Sequence, residues 1–172
     1  ANGRRFVVAI ERDISERHQM EIELSRERDF RRQVFDLQTT LLAVLAERRI
    51  DSCNAAMTRF VGIPGGDDAP GELAAVVSRI VERPGYLDRH GFSEWLSDPQ
   101  EGSAAPAHLL LRAPRGNGVH TFLVERRRLP APDTRQLLAL TDITELEEKR
   151  RGLERLAATD MLTGLLNRAR FN

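Results

Sequence analysis

Short runs of alternating or continuous hydrophobic residues recur at five places along the chain, and they predict five β-strands. The runs span residues 40–46, 49–53, 107–112, 119–126 and 135–141. A tight turn at Glu47-Arg48 separates the first two, although residues 41–46 could instead extend a preceding helix. Gly116-Asn117-Gly118 joins the third and fourth. This order predicts an α+β fold with one five-stranded antiparallel sheet and helices on one face.

Three short helices are predicted between the second and third strands. The first has Asn54 as its N-cap, runs through Val61 and stops at Gly62. The second follows from apolar residues spaced i, i+3, i+4, i+7 and i+8, which are Leu73, Val76, Val77, Ile80 and Val81. The segment 63–71, rich in proline and glycine, must be a loop. One more helical turn or two is predicted at 93–96, with three side chains pointing inward: Phe92, Trp95 and Leu96.

One tetrapeptide pattern occurs twice, as Asp13-Ile14-Ser15-Glu16 and as Asp142-Ile143-Thr144-Glu145. The first copy follows an apolar run at residues 6–10 and the second a run at residues 137–140, and each copy opens a charged segment. Each therefore predicts a strand that passes directly into a helix. The aspartate would cap the helix, and the glutamate three residues later would bond back to the cap. The copies lie 129 residues apart (142 − 13), which predicts the end of one module followed by the end of the next.

The charged segments after the two copies predict two exposed helices. Residues 14–37 contain no glycine or proline, and they carry a narrow apolar stripe of Met20, Leu24, Phe30, Val34 and Leu37. Such a stripe predicts pairing with the same helix of a second subunit, so we expect a homodimer. The second helix, from Ile143 to about Ala158, has apolar residues near heptad spacing, interrupted by Arg150 and Gly152. It is either a marginal dimer seam or a solvated linker.

Composition narrows the function classes. Lysine plus arginine and aspartate plus glutamate number 26 each, with a pI near 7.2, so we expect no nucleic acid and no membrane contact. The lone Cys53 excludes an intramolecular disulfide and fits a reducing compartment, so we expect a cytoplasmic fragment whose parent could be anchored upstream. No phosphate-binding glycine loop, nucleophile elbow or paired histidine spacing is present. We therefore predict no catalytic and no metal-binding residues.

The order of these elements, with Asn54-Ala55-Ala56 after the second strand and Asp142-Ile143-Thr144 after the last, resembles the PAS sensory domain. The resemblance implies that the two helices at the ends are signalling helices. The predicted organisation has five parts: 1–13, the last strand of a preceding PAS-like module; 14–37, a linker helix; 38–145, the PAS domain; 146–158, the exit helix; and 159–172, the start of a further domain.

That further domain is suggested by the string from Asp160 to Arg168, which resembles the entrance to a GGDEF domain, the diguanylate cyclase fold that joins two GTP molecules into cyclic di-GMP. The chain ends before the residues that such an enzyme needs, so we expect the fragment itself to be inactive. Gly65-Gly66-Asp67-Asp68 lacks the signature's Glu-Phe and is interpreted as a loop. The predicted signal-transmission residues are Asp142, Ile143, Thr144, Glu145, Asp160, Leu162, Thr163, Gly164, Asn167 and Arg168.

The PAS resemblance also implies a cavity between the helices and the sheet that could hold a small-molecule ligand. The candidate lining residues are Phe92, Trp95, Leu111 and Phe122, and a simply packed core is the alternative. A flavin is disfavoured, because Cys53 ends a strand whereas the photoreactive cysteine of flavin-binding relatives lies in a helix. Haem is also disfavoured. Its candidate ligands are His90, His108 and His120, with His90 ahead because haem-binding relatives draw their ligand from that region.

Two functional hypotheses follow. The first is a PAS sensor and dimerisation module that relays a signal through helical linkers to a C-terminal diguanylate cyclase of the bacterial type. The second is a ligand-free PAS module that sets pairing and spacing in the same kind of protein. A histidine kinase output is disfavoured, because no histidine follows Asp142.

Overall fold

The computed structural model describes residues 3–62, 73–98, 107–113, 118–130, 132 and 134–158, with side chains described within 17–156. The chain forms two compact units, residues 1–38 and 39–172, and each is treated by itself. The elements are α1 (Gly3–Leu37), β1 (Leu41–Ala46), β2 (Arg49–Cys53), α2 (Ala55–Val61), α3 (Leu73–Val77), α4 (Arg89–Ser97), β3 (Ala107–Arg112), β4 (Val119–Arg128), β5 (Gln136–Asp142) and α5 (Thr144–Ala158).

The five strands form one antiparallel sheet in the order β2-β1-β5-β4-β3, which confirms the predicted α+β fold. In β1 every second residue is buried, so residues 41–46 form a strand and do not extend the helix before them. Glu47 and Arg48 both have positive φ, at 47° and 68°. A two-residue turn with this backbone matches the twist of the strands it joins, which explains the short β1–β2 connection.

Helix α2 is fixed to the sheet by a buried asparagine. Asn54 is completely buried, and its Oδ1 accepts hydrogen bonds from Met57 N at 3.0 Å and from Leu42 N at 3.1 Å. Its Nδ2 donates to Thr40 O at 2.9 Å. At the other end Gly62 has a left-handed backbone with φ 78°, and its N–H donates to Thr58 O. The predicted cap and stop of this helix are therefore both confirmed.

The second predicted helix is shorter than expected. Helix α3 ends at Val77, so the prediction that it continues through Val81 is wrong. Ile80 forms a bridge with Leu111, and Val81 N donates to Leu110 O at 2.9 Å. Strand β3 lies at the edge of the sheet, where its outward N–H and C=O groups need partners. The segment after α3 supplies these partners. Its pairing with the distant strand β3 outweighs the helical spacing of its own apolar residues.

Helix α4 is longer than the turn or two predicted at 93–96, because Asp88 caps it and accepts a hydrogen bond from Gly91 N at 2.7 Å. Phe92 and Leu96 are buried, and Trp95 packs partly exposed against the same core. This core joins the helices to the inner face of the sheet. Leu110 on β3 is also buried, but it stands outside the core cluster and pairs with Thr121, because successive strand residues face opposite sides.

The described part of the first unit forms one helix. Helix α1 runs without a break over 35 residues from Gly3 to Leu37, so the predicted strand at 6–10 is wrong and Asp13 lies within a helix. An isolated strand would leave its backbone N–H and C=O groups unpaired, whereas a helix pairs them internally. Membership of residues 1–13 in a preceding module stays a prediction. No helix among the described residues is long and apolar enough to cross a membrane.

Candidate functional site at the start of the exit helix

The candidate site is the junction where β5 becomes α5. Strand β5 ends at Asp142 and helix α5 begins at Thr144, so only Ile143 separates them. Ile143 O accepts the first helical hydrogen bond, from Glu147 N at 2.9 Å. The helix therefore begins one residue later than a cap at Asp142 would give. Glu145 Oε2 lies 3.5 Å from Lys149 Nζ, whereas the prediction had it bonding back to the cap.

The carboxylate of Asp142 is the centre of this junction. Its Oδ1 accepts hydrogen bonds from Thr144 N at 2.9 Å and from Thr144 Oγ1 at 2.5 Å. Its Oδ2 lies 2.8 Å from His120 Nδ1 on β4. Three polar contacts thus converge on one side chain, and they join the end of β5, the first turn of α5 and the neighbouring strand.

Two further hydrogen bonds attach the junction to Thr121 on β4. Ile143 N donates to Thr121 O at 2.8 Å, and Thr121 N donates to Thr144 Oγ1 at 3.0 Å. Thr121 is only 6% exposed, so its N–H depends on this acceptor. The strand-to-helix turn therefore continues the hydrogen bonding of the sheet into α5.

The hydrogen bonds lower the pKa of Asp142. Partial burial of the carboxyl group would by itself raise the pKa, because it disfavours the charged form. The hydrogen bonds from the Thr144 hydroxyl and amide, and the contact and charge of His120, outweigh that effect. The result is a pKa below the ordinary value of 3.8, so the carboxylate is held in its ionised form.

An open groove of about 560 Å³ borders the junction. It is lined by His120, Asp142, Ile143, Thr144, Glu145, Leu146 and Lys149. The His120 and Phe60 rings form a T-shaped contact with 5.5 Å between ring centres, and Phe60 forms another with Phe122 at 5.0 Å. Phe122 is a fully buried core residue. A direct chain of contacts therefore runs from the core through Phe60 and His120 to Asp142.

Helix α5 is also held along its length. Arg151 Nη2 donates to the hydroxyl of Tyr86, in the segment that covers β3. The Tyr86 and His108 rings form a T-shaped contact with 6.4 Å between ring centres. The side chain of Glu147 is 14% exposed and pairs with Arg150 at 2.8 Å. This hydrogen bond lowers the pKa of Glu147 despite its partial burial, and the charges of Arg150, Arg151 and His108 act in the same direction.

The predicted transmission residues divide into two groups. Asp142, Ile143, Thr144 and Glu145 all lie at the junction. The others lie outside the described residues: Asp160, Leu162, Thr163, Gly164, Asn167 and Arg168. Tyr86, Arg151 and the role of His120 were not predicted from the sequence. No local sequence pattern indicates this role of His120, because its contact depends on the register of β4 against β5, which places Phe122 opposite Asp142 and His120 two residues further along.

The four predicted pocket residues come together in one core. Phe92, Leu111 and Phe122 are completely buried, and Trp95 stacks on Phe92 with ring centres 6.2 Å apart. Their role as a ligand lining stays a prediction. His90, the leading haem candidate, is 83% exposed and lies 3.2 Å from Glu94. No group of three or more His, Cys, Asp or Glu side chains in the described part of the chain could hold a metal ion.

Comparison with known proteins supports the fold. No model of a known protein family matches the sequence, and no curated protein matches it. Among solved structures, the PAS domain of an HTR-like protein from Haloarcula marismortui is similar, with a TM-score of 0.55 and 15% sequence identity. The similarity covers 73% of this chain and 99% of that one. With its five-stranded antiparallel sheet and helical layer, this chain therefore has the PAS fold.

Proposed function

We propose that this chain is a PAS sensor and dimerisation module that relays a signal through α1 and α5 to a C-terminal diguanylate cyclase. The observation that carries the proposal is the one-residue junction between β5 and α5, tied to β4 through Asp142, Thr144 and Thr121. A change in the core reaches this junction through Phe122, Phe60 and His120. A ligand that favours one arrangement of these contacts shifts the position of α5 by its differential affinity for the two arrangements.

The output is inferred from the residues that follow α5. The string Asp160-Met161-Leu162-Thr163-Gly164-Leu165-Leu166-Asn167-Arg168 begins two residues after the helix ends at Ala158. Its resemblance to the start of a GGDEF domain supports a cyclase as the receiver. Each active site of a diguanylate cyclase holds one GTP, so two subunits must meet for product to form. The relative position of the two exit helices in a dimer could therefore control the rate of product formation.

Dimerisation is supported by apolar side chains that both helices expose. In α1 they include Met20 at 63%, Phe30 at 65% and Leu37 at 80% exposed. In α5 Leu146, Leu153 and Leu156 are each at least 64% exposed. Large apolar side chains spaced along one side of a charged helix are typical of coiled-coil pairing.

Light scattering tests the dimer with matched variants. Phe30→Lys lies within the apolar stripe of α1, whereas Ile22→Lys alters an exposed apolar residue about 200° round the helix from Met20, outside that stripe. We expect the unmodified chain and Ile22→Lys to be dimers at tens of micromolar, and Phe30→Lys to be shifted toward monomer. Monomers throughout, with and without residues 144–172, would contradict the dimer mechanism.

The relay is tested in the protein that carries this chain. The codons after Asn172 should encode a GGDEF signature, and the protein should convert GTP to cyclic di-GMP, measured by chromatography. Asp142→Asn removes the charge that holds the junction and should alter the rate, whereas Asp51→Asn on β2 should leave it unchanged. Equal rates in all three proteins, or a downstream sequence without the signature, would contradict the relay.

The alternative function is a ligand-free PAS module that sets pairing and spacing. The complete burial of Phe92, Leu111 and Phe122 favours it, since these side chains fill the region where a ligand would sit. Native mass spectrometry and an absorbance spectrum of the purified chain separate the two functions. A co-purified small molecule favours the sensor, and a ligand-free protein whose oligomeric state is insensitive to extracts favours the spacer.

A further inference from the structure

A stacked pair of side chains links α4 to the inner face of the sheet. The guanidinium carbon of Arg126, on β4, lies 5.3 Å from the centre of the Trp95 ring on α4. Arg126 Nη1 donates to Leu96 O at 2.9 Å, which fixes the plane of the guanidinium group. Trp95 stacks in turn on Phe92, and Arg126 pairs across the sheet with the buried Leu138. The surroundings of this charged group are therefore largely apolar.

Two donors of this pair have no acceptor among the described residues. Trp95 Nε1 and Arg126 Nη2 are both buried, and no acceptor within the described ranges lies within hydrogen-bonding distance of either. No carboxylate of the described residues forms an ion pair with Arg126. Arg135, by contrast, meets Asp51 at 2.9 Å. Buried donors and buried charges nearly always have hydrogen-bond partners in folded proteins. Two unsatisfied donors in the same contact therefore indicate a place where a ligand could bind.

The chemistry of the two donors defines what would satisfy them. Both are N–H groups, and one carries a positive charge, so the complementary group is an anionic acceptor. A carboxylate fits best, because its two oxygens can take hydrogen bonds from two donors and its charge pairs with the guanidinium. The apolar neighbours Phe92 and Leu138 favour an apolar body next to that carboxylate.

We propose that Trp95 and Arg126 form a recognition site for a small carboxylic acid with an apolar body. This inference rests on the proposed sensor function and names the chemical class of its ligand. Because both donors are closed off from solvent, the ligand reaches them when α4 separates from β4. Arg126 and His120 lie on the same strand, so a displacement of β4 at Arg126 is passed to the junction at Asp142.

Trp95 is the only tryptophan in the chain, so its fluorescence reports on this site alone. The unmodified chain is titrated with hexanoate and with phenylacetate, and separately with the neutral amides of the same two acids. We expect at least one carboxylate to give a saturable change, with its amide at least about tenfold weaker because it lacks the charge. This comparison requires no variant and is unaffected by any loss of folding.

Variants then test whether Arg126 is the group that distinguishes the carboxylate from the neutral amide. Arg126→Gln should weaken carboxylate binding about tenfold and abolish the preference over the amide, whereas Arg126→Lys should weaken it less. Arg127→Gln, at the exposed neighbouring position, is the matched control and should bind as the unmodified chain does. Circular dichroism verifies that each variant is folded.

Two results would overturn the proposal. One is the absence of a saturable response to either acid, which would mean that ordered water satisfies the two donors. The other is equal binding of acid and amide, or an unchanged preference in Arg126→Gln. Neither result bears on the dimer or the cyclase relay, which are measured by light scattering and by product formation. A monomeric protein that still binds hexanoate would contradict the relay and support this site.

Discussion

The two copies of one tetrapeptide pattern adopt different structures. Asp13-Ile14-Ser15-Glu16 lies within the continuous helix α1, whereas Asp142-Ile143-Thr144-Glu145 forms the end of β5, a one-residue junction and the first turn of α5. Both copies follow an apolar run that favours a strand by itself. The local sequence is nearly the same, so the cause of the difference lies elsewhere in the chain.

That cause is the presence of partners for the second copy. Strand β5 lies between β1 and β4, which satisfy its backbone on both sides. His120 and Thr121 on β4 then bind the side chains and backbone of the junction. Residues 6–10 belong to a unit whose described residues include no strand, and there a helix satisfies the backbone internally. Strand formation is thus decided by long-range pairing more than by local preference.

The largest expected difference between the copies concerns their aspartates. Asp142→Ala removes the acceptor of three contacts and should lower the free energy of unfolding by about 2 kcal/mol. Asp13 lies within a helix, so Asp13→Ala should change the free energy of unfolding by no more than about 0.5 kcal/mol. Urea denaturation measures both, with Trp95 fluorescence for the sheet unit and circular dichroism for α1. Equal losses in the two variants would contradict the comparison.

The hydroxyl residues of the two copies should differ by a smaller amount. Thr144→Val keeps the shape of the side chain but deprives the buried Thr121 N–H of its acceptor, which should cost about 1 kcal/mol. Ser15→Ala replaces a moderate helix former by the best one, so the dichroism of α1 should stay the same or increase. The same denaturation experiment measures both changes. A loss of helix in Ser15→Ala would indicate that the first copy also forms a specific junction.

The pH dependence of stability sharpens the role of the second copy. The pKa of Asp142 is lower in the folded protein than its ordinary value of 3.8. The ionised carboxylate of Asp142 therefore stabilises the folded state fully above pH 3.8, and this stabilisation is lost as the pH falls through the pKa of the folded protein. The difference in unfolding free energy between the unmodified chain and Asp142→Asn should shrink when the pH is lowered from about 6 to about 3. A constant difference would exclude the ionised carboxylate as its source.

The smallest expected effect concerns the contact of α5 with Tyr86. Tyr86→Phe removes the hydroxyl that accepts from Arg151 and should lower stability by only about 0.5 kcal/mol, because such partly exposed contacts are weak. Its effect should be local: amide hydrogen exchange should accelerate in α5 near Arg151 and stay the same in α1. Uniform acceleration across the sheet would show that Tyr86 supports the whole unit instead.

Much of the fold could be predicted because its signals are local. Strands β1 to β5 follow from alternating or continuous apolar runs, and α2 follows from Asn54 and Gly62 at its ends. The extension of α3 through Ile80 and Val81 failed because those residues pair with β3, which is distant in sequence. The strand predicted at 6–10 failed for the opposite reason, since the described residues of its own unit offer no strand to pair with.

The residues of the junction site could be predicted only where they are contiguous in the sequence. The run from Asp142 to Glu145 could be found in the sequence because the strand, junction and helix are contiguous. His120, Tyr86 and Arg126 act through residues 22, 65 and 30 positions away, respectively. Such contacts depend on sheet register and helix placement. They need the folded structure, even though each residue type was visible in the sequence.

Because a single residue connects β5 to α5, the direction of the exit helix follows the end of the strand closely. Helix α5 has 15 residues and is therefore about 22 Å long. A tilt of about 10° at Ile143 would displace its far end by roughly 4 Å, about three quarters of the 5.4 Å pitch of one helical turn. A longer or glycine-rich linker would absorb such a tilt within its own backbone. Side-chain adjustments of an ångström around Asp142 can thus become displacements that change which residues of two adjoining helices face each other.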